Sequence, residues 1–266
     1  MPAQFSLRLA LSWTVLATAA LYFALTLAFV AFPRGGDDIV LLGAVQVLVY
    51  AGMLAAFQRV QGEPLRDVLA LRKTSLATLL SSALLGFFLQ IPATLLSDAI
   101  EHFFPTPPTV LAERMARITP HSTIQAFAIV LVVAGLGPLV EEFFFRGALF
   151  GALRHSYGAL VTALTVAVCF AFAHLDARLF FPLFITALAL GEVRERSGSI
   201  WPGVALHAAF NGATLAAIFS GASPDGKPPR MPVFAALFGC LICILLLGTA
   251  RRLALSSRVA QNRSPS

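Results

Sequence analysis

Long apolar runs, separated by short polar gaps, occupy most of this chain. They are, in order, Leu9–Phe32, Ile39–Phe57, Leu76–Leu96, Thr123–Leu153, Ala159–Leu175, Leu179–Val193, Ile200–Phe219 and Val233–Ala250. Because an α-helix of roughly 20 residues crosses a hydrocarbon core about 30 Å thick, several of these runs can span a membrane. The runs predict an all-α fold, a polytopic transmembrane bundle of about eight helices, in which the short sixth helix is tilted or spans only in part.

The composition supports a membrane protein and excludes several other classes. Hydrophobic residues make up 58% of the 266 residues and charged residues only 12%, with a mean hydropathy of +0.83. A soluble domain carries about a quarter charged residues, so this chain lacks the polar surface of a water-soluble enzyme. Cys169, Cys240 and Cys243 lie inside apolar runs, which favours core packing over a disulfide framework. No repeat or linker divides the chain, so we expect one domain over residues 1–266, with the motif-bearing core at about 123–219.

The basic residues lie mostly in the gaps between apolar runs, where they report on topology rather than on nucleic-acid binding. The formal net charge is +6, but the sequence has no basic stripe with interleaved aromatic residues. Gaps on one side of the membrane hold 12 Lys and Arg residues, against 6 on the other side, among them Arg34, Lys227 and Arg230. Because basic residues concentrate in cytoplasmic loops, both termini are expected in the cytoplasm. The compact chain, without long soluble domains, favours a bacterial cell membrane over an organellar one. Membrane lipids are expected partners, and nucleic acid is not.

Two polar gaps, Glu63–Lys73 and Glu101–His121, contain apolar residues among charged ones. Such a pattern permits a short helix that lies at the membrane interface. A surface loop is the favoured interpretation of both gaps.

Two carboxylates and a guanidinium interrupt the fourth apolar run, in the order Glu141, Glu142 and Arg146. Each charged group costs about 2.5–3.5 kcal/mol at the centre of a membrane helix, so such residues indicate a functional site. At about 100° per residue, Glu142 and Arg146 share one helix face, whereas Glu141 points away from Arg146. Glu142 and Arg146 are therefore interpreted as a structural pair and Glu141 as the free carboxylate. Pro138 cannot donate to the Ala134 carbonyl, so a kink is expected just before the carboxylates.

His174, His207 and Asn211 are further polar residues that could join Glu141 in one site. Glu141 and His174 are 33 positions apart, with a turn-like segment at His155–Gly158 midway between them. An antiparallel hairpin closed at that turn would bring both residues to the same depth, since each helix rises about 1.5 Å per residue. His207 and Asn211 are one turn apart and share a helix face. Four polar side chains from three helices are therefore expected to converge.

Three motifs resemble those of the CAAX prenyl-protease and bacteriocin-processing (CPBP, or Abi) family of intramembrane proteases. They are, in order, Glu141-Glu142-x-x-x-Arg146, Phe170-x-x-x-His174 and His207-x-x-x-Asn211. Each motif lies on an apolar run, and the resemblance extends from about Gly135 to Gly212. It implies an α-helical intramembrane endopeptidase, a hydrolase that acts on a peptide or lipidated-protein substrate.

The resemblance also implies roles for individual residues. Glu141 and His174 would activate the attacking water, and His207 and Asn211 would stabilise the oxyanion. These roles suit amide hydrolysis, which needs a base for water and donors for the developing negative charge. Glu142 and Arg146 would support the site.

A zinc ion is a second way to activate water, and the sequence leaves it open. Two imidazoles and a carboxylate match a catalytic zinc set, so Glu141, His174 and His207 are possible ligands. Against zinc, the chain has no HExxH helix, and the ligands would come from three separate helices. Both the metal-dependent and the glutamate-dependent mechanism are therefore retained.

Two other functions would use the same polar cluster without hydrolysis. A non-catalytic membrane protein could bind and sequester a peptide there, as an immunity protein would. A transporter could relay protons through Glu and His side chains, although the sequence has no internal repeat of the kind that many transporters carry.

Overall fold

The computed structural model describes residues 5–32, 38–62, 64–221 and 233–263. Ten helices make up the described fold and are numbered here in chain order. They are α1 (Leu7–Ala31), α2 (Ile39–Gln61), α3 (Leu65–Val68), α4 (Leu76–Phe103), α5 (Pro108–Ile118), α6 (Thr123–Ser156), α7 (Ala159–Ala173), α8 (Phe180–Ser197), α9 (Trp201–Phe219) and α10 (Val233–Arg263). Arg34, Lys227 and Arg230, which entered the topology prediction, lie outside the described residues.

The predicted transmembrane bundle is confirmed, and each of the eight apolar runs forms a helix. Within the described ranges, α1, α2, α4, α6, α9 and α10 are long and apolar enough to cross a membrane, by length and composition. The bundle exposes large apolar side chains on its outside, such as Phe127 at 71% and Phe234 at 77%. Because soluble proteins rarely expose continuous apolar surface, this exterior fits a lipid environment. The three cysteines are free, as expected.

The loop prediction for the two polar gaps is wrong. Residues Leu65–Val68 form the one-turn helix α3, and the following Leu69 and Ala70 are buried against the bundle. In the second gap, α5 is an amphipathic helix of 11 residues with none of its residues buried. The alternating apolar and charged residues thus favour helix over loop in both gaps. Glu63 lies outside the described part of the chain.

The first turns of α6 are exposed, but from Gly137 onward most of the helix is buried in the bundle, and α6 contacts α2, α7 and α9. It ends at Ser156 and α7 begins at Ala159, so the predicted hairpin turn is confirmed. On one side, a large buried core joins α1, α2, α6, α7 and α8. A second, smaller core joins α4, α8, α9 and α10. Consequently, Glu142 and Arg146 of α6 lie buried between helices and away from lipid.

Two π-helical segments, Leu131–Leu136 and Phe143–Leu149, interrupt α6 and flank the stretch that carries the two carboxylates. In the first, the Gly137 N–H donates to the Val132 carbonyl, five residues back. Pro138 follows directly and has no N–H. Five residues before Pro138 is Val133, so in the π register the Val133 carbonyl has no backbone donor. The sequence, interpreted in an α register, predicted the Ala134 carbonyl instead.

Candidate active site

Glu142 and Arg146 form a fully buried ion pair one turn apart on α6, which fits the structural pair predicted from their spacing. The Arg146 Nη1 donates to Glu142 Oε1 at 2.8 Å, and both side chains have no exposed surface. Arg146 Nη2 also donates to the Ala187 carbonyl on α8 at 3.3 Å. Its guanidinium lies over the ring of Phe170 on α7, 4.4 Å from the ring centre. This pair thereby ties α6 to two neighbouring helices.

His207 reaches both neighbouring carboxylates from α9. Its Nδ1 lies 3.1 Å from Glu142 Oε1, and its Nε2 lies 3.9 Å from Glu141 Oε2. A carboxylate paired with arginine can only accept, so Nδ1 is assigned as the N–H that donates to Glu142. The neutral ring then presents a lone pair on Nε2 toward Glu141. Sequence spacing did not indicate this link, because Glu142 and His207 are 65 positions apart.

Glu141 has a neutral partner and remains partly accessible. Gln46 on α2 donates from Nε2 to Glu141 Oε1 at 2.7 Å, and the Glu141 side chain is 14% exposed. No cation contacts this carboxylate among the described residues, apart from His207 when its ring is protonated. Gln46 was not predicted as a site residue. The signal in the sequence that could have indicated it is the presence of a polar side chain inside the apolar run of α2.

His174 lies at the end of α7, where its side chain is fixed by its own helix. Its Nδ1 is 2.9 Å from the Phe170 carbonyl one turn earlier, which leaves Nε2 as the acceptor in the neutral ring. The Phe170 ring contacts both histidines, with ring centres 4.9 Å from His174 and 5.7 Å from His207. In the described structure, no hydrogen bond or ion pair joins His174 to Glu141. Phe170 therefore links His174 to His207 by ring contacts, whereas polar contacts link His207 to the two glutamates.

The turn that follows His174 is held by charged residues. Arg114 of α5 and Arg178 both donate to Asp176, whose Oδ1 also accepts from the Arg178 backbone N–H at 3.0 Å. Burial raises the pKa of Asp176, but the hydrogen bonds from these arginines outweigh burial and hold that pKa below its ordinary value. In addition, the Tyr22 hydroxyl of α1 donates to the His174 carbonyl at 3.3 Å.

Asn211 lies one turn after His207 and its amide meets the irregular part of α6. Its Nδ2 donates to the Val133 carbonyl at 2.8 Å. Val133 is the residue whose carbonyl Pro138 leaves without a backbone donor, so the side chain of Asn211 replaces a missing N–H. One amide hydrogen is used in this bond, and the amide has a second one.

The residues of the predicted zinc set do not fit a metal site. In the part of the chain that the structure describes, no three His, Cys, Asp or Glu side chains are grouped so as to hold a metal ion. The 3.9 Å separation of Glu141 from His207 would suit two ligands of one ion, and the Nδ1 bonds of both histidines leave each Nε2 with a lone pair, but His174 does not form a group with these two residues. The arrangement of these three side chains therefore supports no reaction step through a metal ion.

Two cavities lie away from these residues. A polar cleft of about 800 Å³ opens beside the α6–α7 turn and includes Arg72, Arg154 and Arg194. An apolar groove of about 700 Å³ lies between α4, α8 and α10. Neither is lined by Glu141, His174, His207 or Asn211, and we place the candidate site by its chemistry rather than by cavity size.

Comparison with protein families finds a match in the same part of the chain. Residues 123–213 match a family model described as Rce1-like: Type II CAAX prenyl endopeptidase Rce1-like. Comparison with curated proteins and with solved structures finds no match. The matched segment begins with α6 and ends within α9, and it contains all six residues predicted for the site. The resemblance predicted from the three motifs is confirmed, because residues 123–213 are similar to this family, and the candidate membrane spans support an integral membrane protein.

Proposed function

We propose that this protein hydrolyses a peptide bond by metal-free, glutamate-based activation of water within the membrane. One observation carries the proposal: Glu141 Oε2 and His207 Nε2 approach to 3.9 Å, while the far side of His207 is anchored on a fully buried ion pair. The 3.9 Å separation exceeds a direct hydrogen bond, so a single oxygen atom can contact both groups.

In the proposed reaction, Glu141 acts as general base and then as general acid. Its carboxylate accepts a proton from water as the water oxygen attacks the scissile carbonyl carbon. The carbonyl π bond opens and its electrons become an oxyanion. When the intermediate collapses, the C–N bond breaks and Glu141 returns its proton to the leaving amine. Proton and charge therefore balance over the cycle without another reactant.

His207 and Asn211 are proposed to stabilise the oxyanion. With Nδ1 donating to Glu142, His207 can donate from Nε2 only when its ring carries a second proton. Asn211 has a second amide hydrogen beyond the one bonded to Val133. Oriented donors of this kind contribute strongly to acyl-transfer catalysis.

His174 is proposed to assist Glu141 in activating water. Its Nε2 is a proton acceptor in the neutral ring, because Nδ1 is bonded to the Phe170 carbonyl. The contacts of Phe170 with both imidazoles would keep the two rings at a fixed separation. This assignment predicts that His174 and Glu141 both contribute to the chemical step.

The proposed substrate is a peptide or a lipidated protein presented from the cytoplasmic side of a bacterial cell membrane, with both termini of the protease in the cytoplasm. The family match supports prenylated peptides as the first substrates to test. The apolar exterior of the bundle would let a lipidated segment approach from the bilayer.

The test is cleavage of matched prenylated and unprenylated reporter peptides by protein purified in detergent. Wild-type protein is expected to cleave at least one reporter, and Glu141→Ala and His174→Ala are expected to abolish cleavage while remaining folded. Cleavage that survives in folded Glu141→Ala would contradict the mechanism. Tight binding of the reporter without any cleavage by the wild type would instead indicate the sequestering function. Metal analysis of the same preparation, with activity measured after chelation, tests the metal-free mechanism.

A further inference from the structure

Helix α2 lies outside the segment that matches the family model, yet it contacts the proposed base directly. Gln46 donates from its side-chain amide to Glu141 Oε1 at 2.7 Å, across 95 positions of sequence. This distance lies at the short end of the ordinary range for an N–H···O hydrogen bond. The contact makes α2 part of the site.

The backbone around this contact leaves little room for any other arrangement. A Cβ atom at Gly137 would lie 3.0 Å from the Val132 carbonyl oxygen and 3.4 Å from Gln46 Oε1. A Cβ atom at Gly43, one turn before Gln46, would lie 2.7 Å from Val132. Glycines on both helices thus permit the close approach of α2 to α6 that brings the amide to the carboxylate.

The chemistry of an amide donor suits a base. Gln46 fixes one carboxylate oxygen of Glu141, and the other, Oε2, is the oxygen nearest His207. An amide N–H is neutral and does not transfer its proton to a carboxylate, so Glu141 keeps its capacity to accept a proton from water. Glu142 differs, because a guanidinium holds its charge in a salt bridge.

From these contacts we infer that Gln46 is a positioning residue for Glu141, and this inference rests on the proposed function. Gln46 holds Oε1 so that Oε2 points toward the attacking water and His207. A misplacement of about 1 Å in a catalytic group can lower the rate by about 100-fold. Loss of the hydrogen bond should therefore lower kcat rather than weaken substrate binding.

The experiment compares Gln46→Met with Gln46→Glu and with Gln58→Met as the matched control. Methionine keeps the length of the side chain but has no donor, and Gln58 lies 12 positions further along the same helix. Relative to wild type, Gln46→Met is expected to lower kcat about 10- to 100-fold with KM unchanged. Gln46→Glu, which sets a carboxyl group against Glu141, is expected to lose at least as much activity. Gln58→Met should keep the wild-type kcat.

Wild-type kcat per folded molecule in Gln46→Met, or a loss expressed only in KM, would overturn the inference. A double-mutant cycle of thermal unfolding over Gln46→Met and Glu141→Ala reads the contact without relying on cleavage. Non-additive shifts in Tm are expected, and additive shifts would show that Gln46 does not hold Glu141. If the wild type cleaves no reporter, the proposed function fails, while the cycle still decides whether this hydrogen bond exists.

Discussion

Two adjacent residues of α6, Glu141 and Glu142, have opposite surroundings. Glu142 is fully buried, with its charge balanced by Arg146 and its Oε1 also bonded to His207. Glu141 is partly exposed and is bonded by a neutral amide from Gln46. A carboxylate that is paired with a guanidinium has a structural role, whereas a carboxylate that accepts from a neutral amide can still accept a proton. The identity of the donor thus separates the two roles better than depth in the membrane does.

The tight burial of Glu142 also has a local cost that the surrounding structure must offset. Its Oε2 and the Nε of Arg146 are buried without a hydrogen-bond partner among the described protein groups. Gly203 of α9 lies against Oε2, where a Cβ atom would come within 3.0 Å. Substitution of Glu141 should consequently affect catalysis, whereas substitution of Glu142 should affect the stability of the fold.

The largest expected effect is that of Glu141→Gln on turnover. The new amide keeps the shape of the side chain and can still accept from Gln46, but it cannot take a proton from water. We expect kcat to fall by about 10²- to 10⁴-fold, as on loss of a general base, with little change in Tm. Reporter cleavage and thermal unfolding measure the two quantities. Glu192→Gln, which alters a carboxylate paired with Arg196 on α8, is the control and should keep full activity.

Next in size is the loss of stability in Arg146→Ala. Removal of the guanidinium leaves the buried Glu142 without its cationic partner and with only the hydrogen bond from His207, and the loss of one partner of a buried ion pair typically costs about 3–5 kcal/mol. The matched control is Arg154→Ala, which removes a two-bond ion pair with Glu195 whose side chains are 35% and 21% exposed. Pairs near the surface contribute about 0–1 kcal/mol, so this control should unfold almost like wild type. Equal destabilisation of the two variants would show that Glu142 is not held as described.

A smaller effect is expected when Asn211→Ala removes the donor to the Val133 carbonyl. This contact is part-buried, so its loss should cost about 1–1.5 kcal/mol, measured as a shift of the unfolding transition. The same substitution in a Pro138→Ala background should cost clearly less, because residue 138 then supplies its own N–H. An identical cost in both backgrounds would contradict the link between Pro138 and Asn211.

The smallest effect is predicted for Tyr22→Phe. The hydroxyl donates to the His174 carbonyl at 3.3 Å in an exposed position, so its loss should cost about 0.5–1 kcal/mol. Turnover should change less than twofold, since the bond acts on the backbone of His174 and not on its ring. A loss as large as that expected for Gln46→Met would show that α1 also positions the site.

Local rules were sufficient for much of this structure. Hydropathy and length predicted the eight long helices, because in lipid the apolar runs can satisfy their backbone polar groups only within themselves. The spacing of Glu142 and Arg146 predicted their contact, since residues four apart share a helix face. The turn-like segment His155–Gly158, between the fourth and fifth apolar runs, predicted the hairpin turn. Amphipathic α5 shows the limit of this approach, because its sequence also allowed a loop.

The sequence by itself determined which segments form apolar helices and which charged residues pair within one helix, because these properties depend on neighbours a few positions apart. Only the tertiary structure decided that Gln46 binds Glu141, that His207 is anchored on Glu142, and that Asn211 meets Val133. Each of these contacts joins different helices, and one further depends on a π-helical register beside Pro138. Helix rotation and register are set by packing between helices, and they cannot be read from the periodicity of any single one.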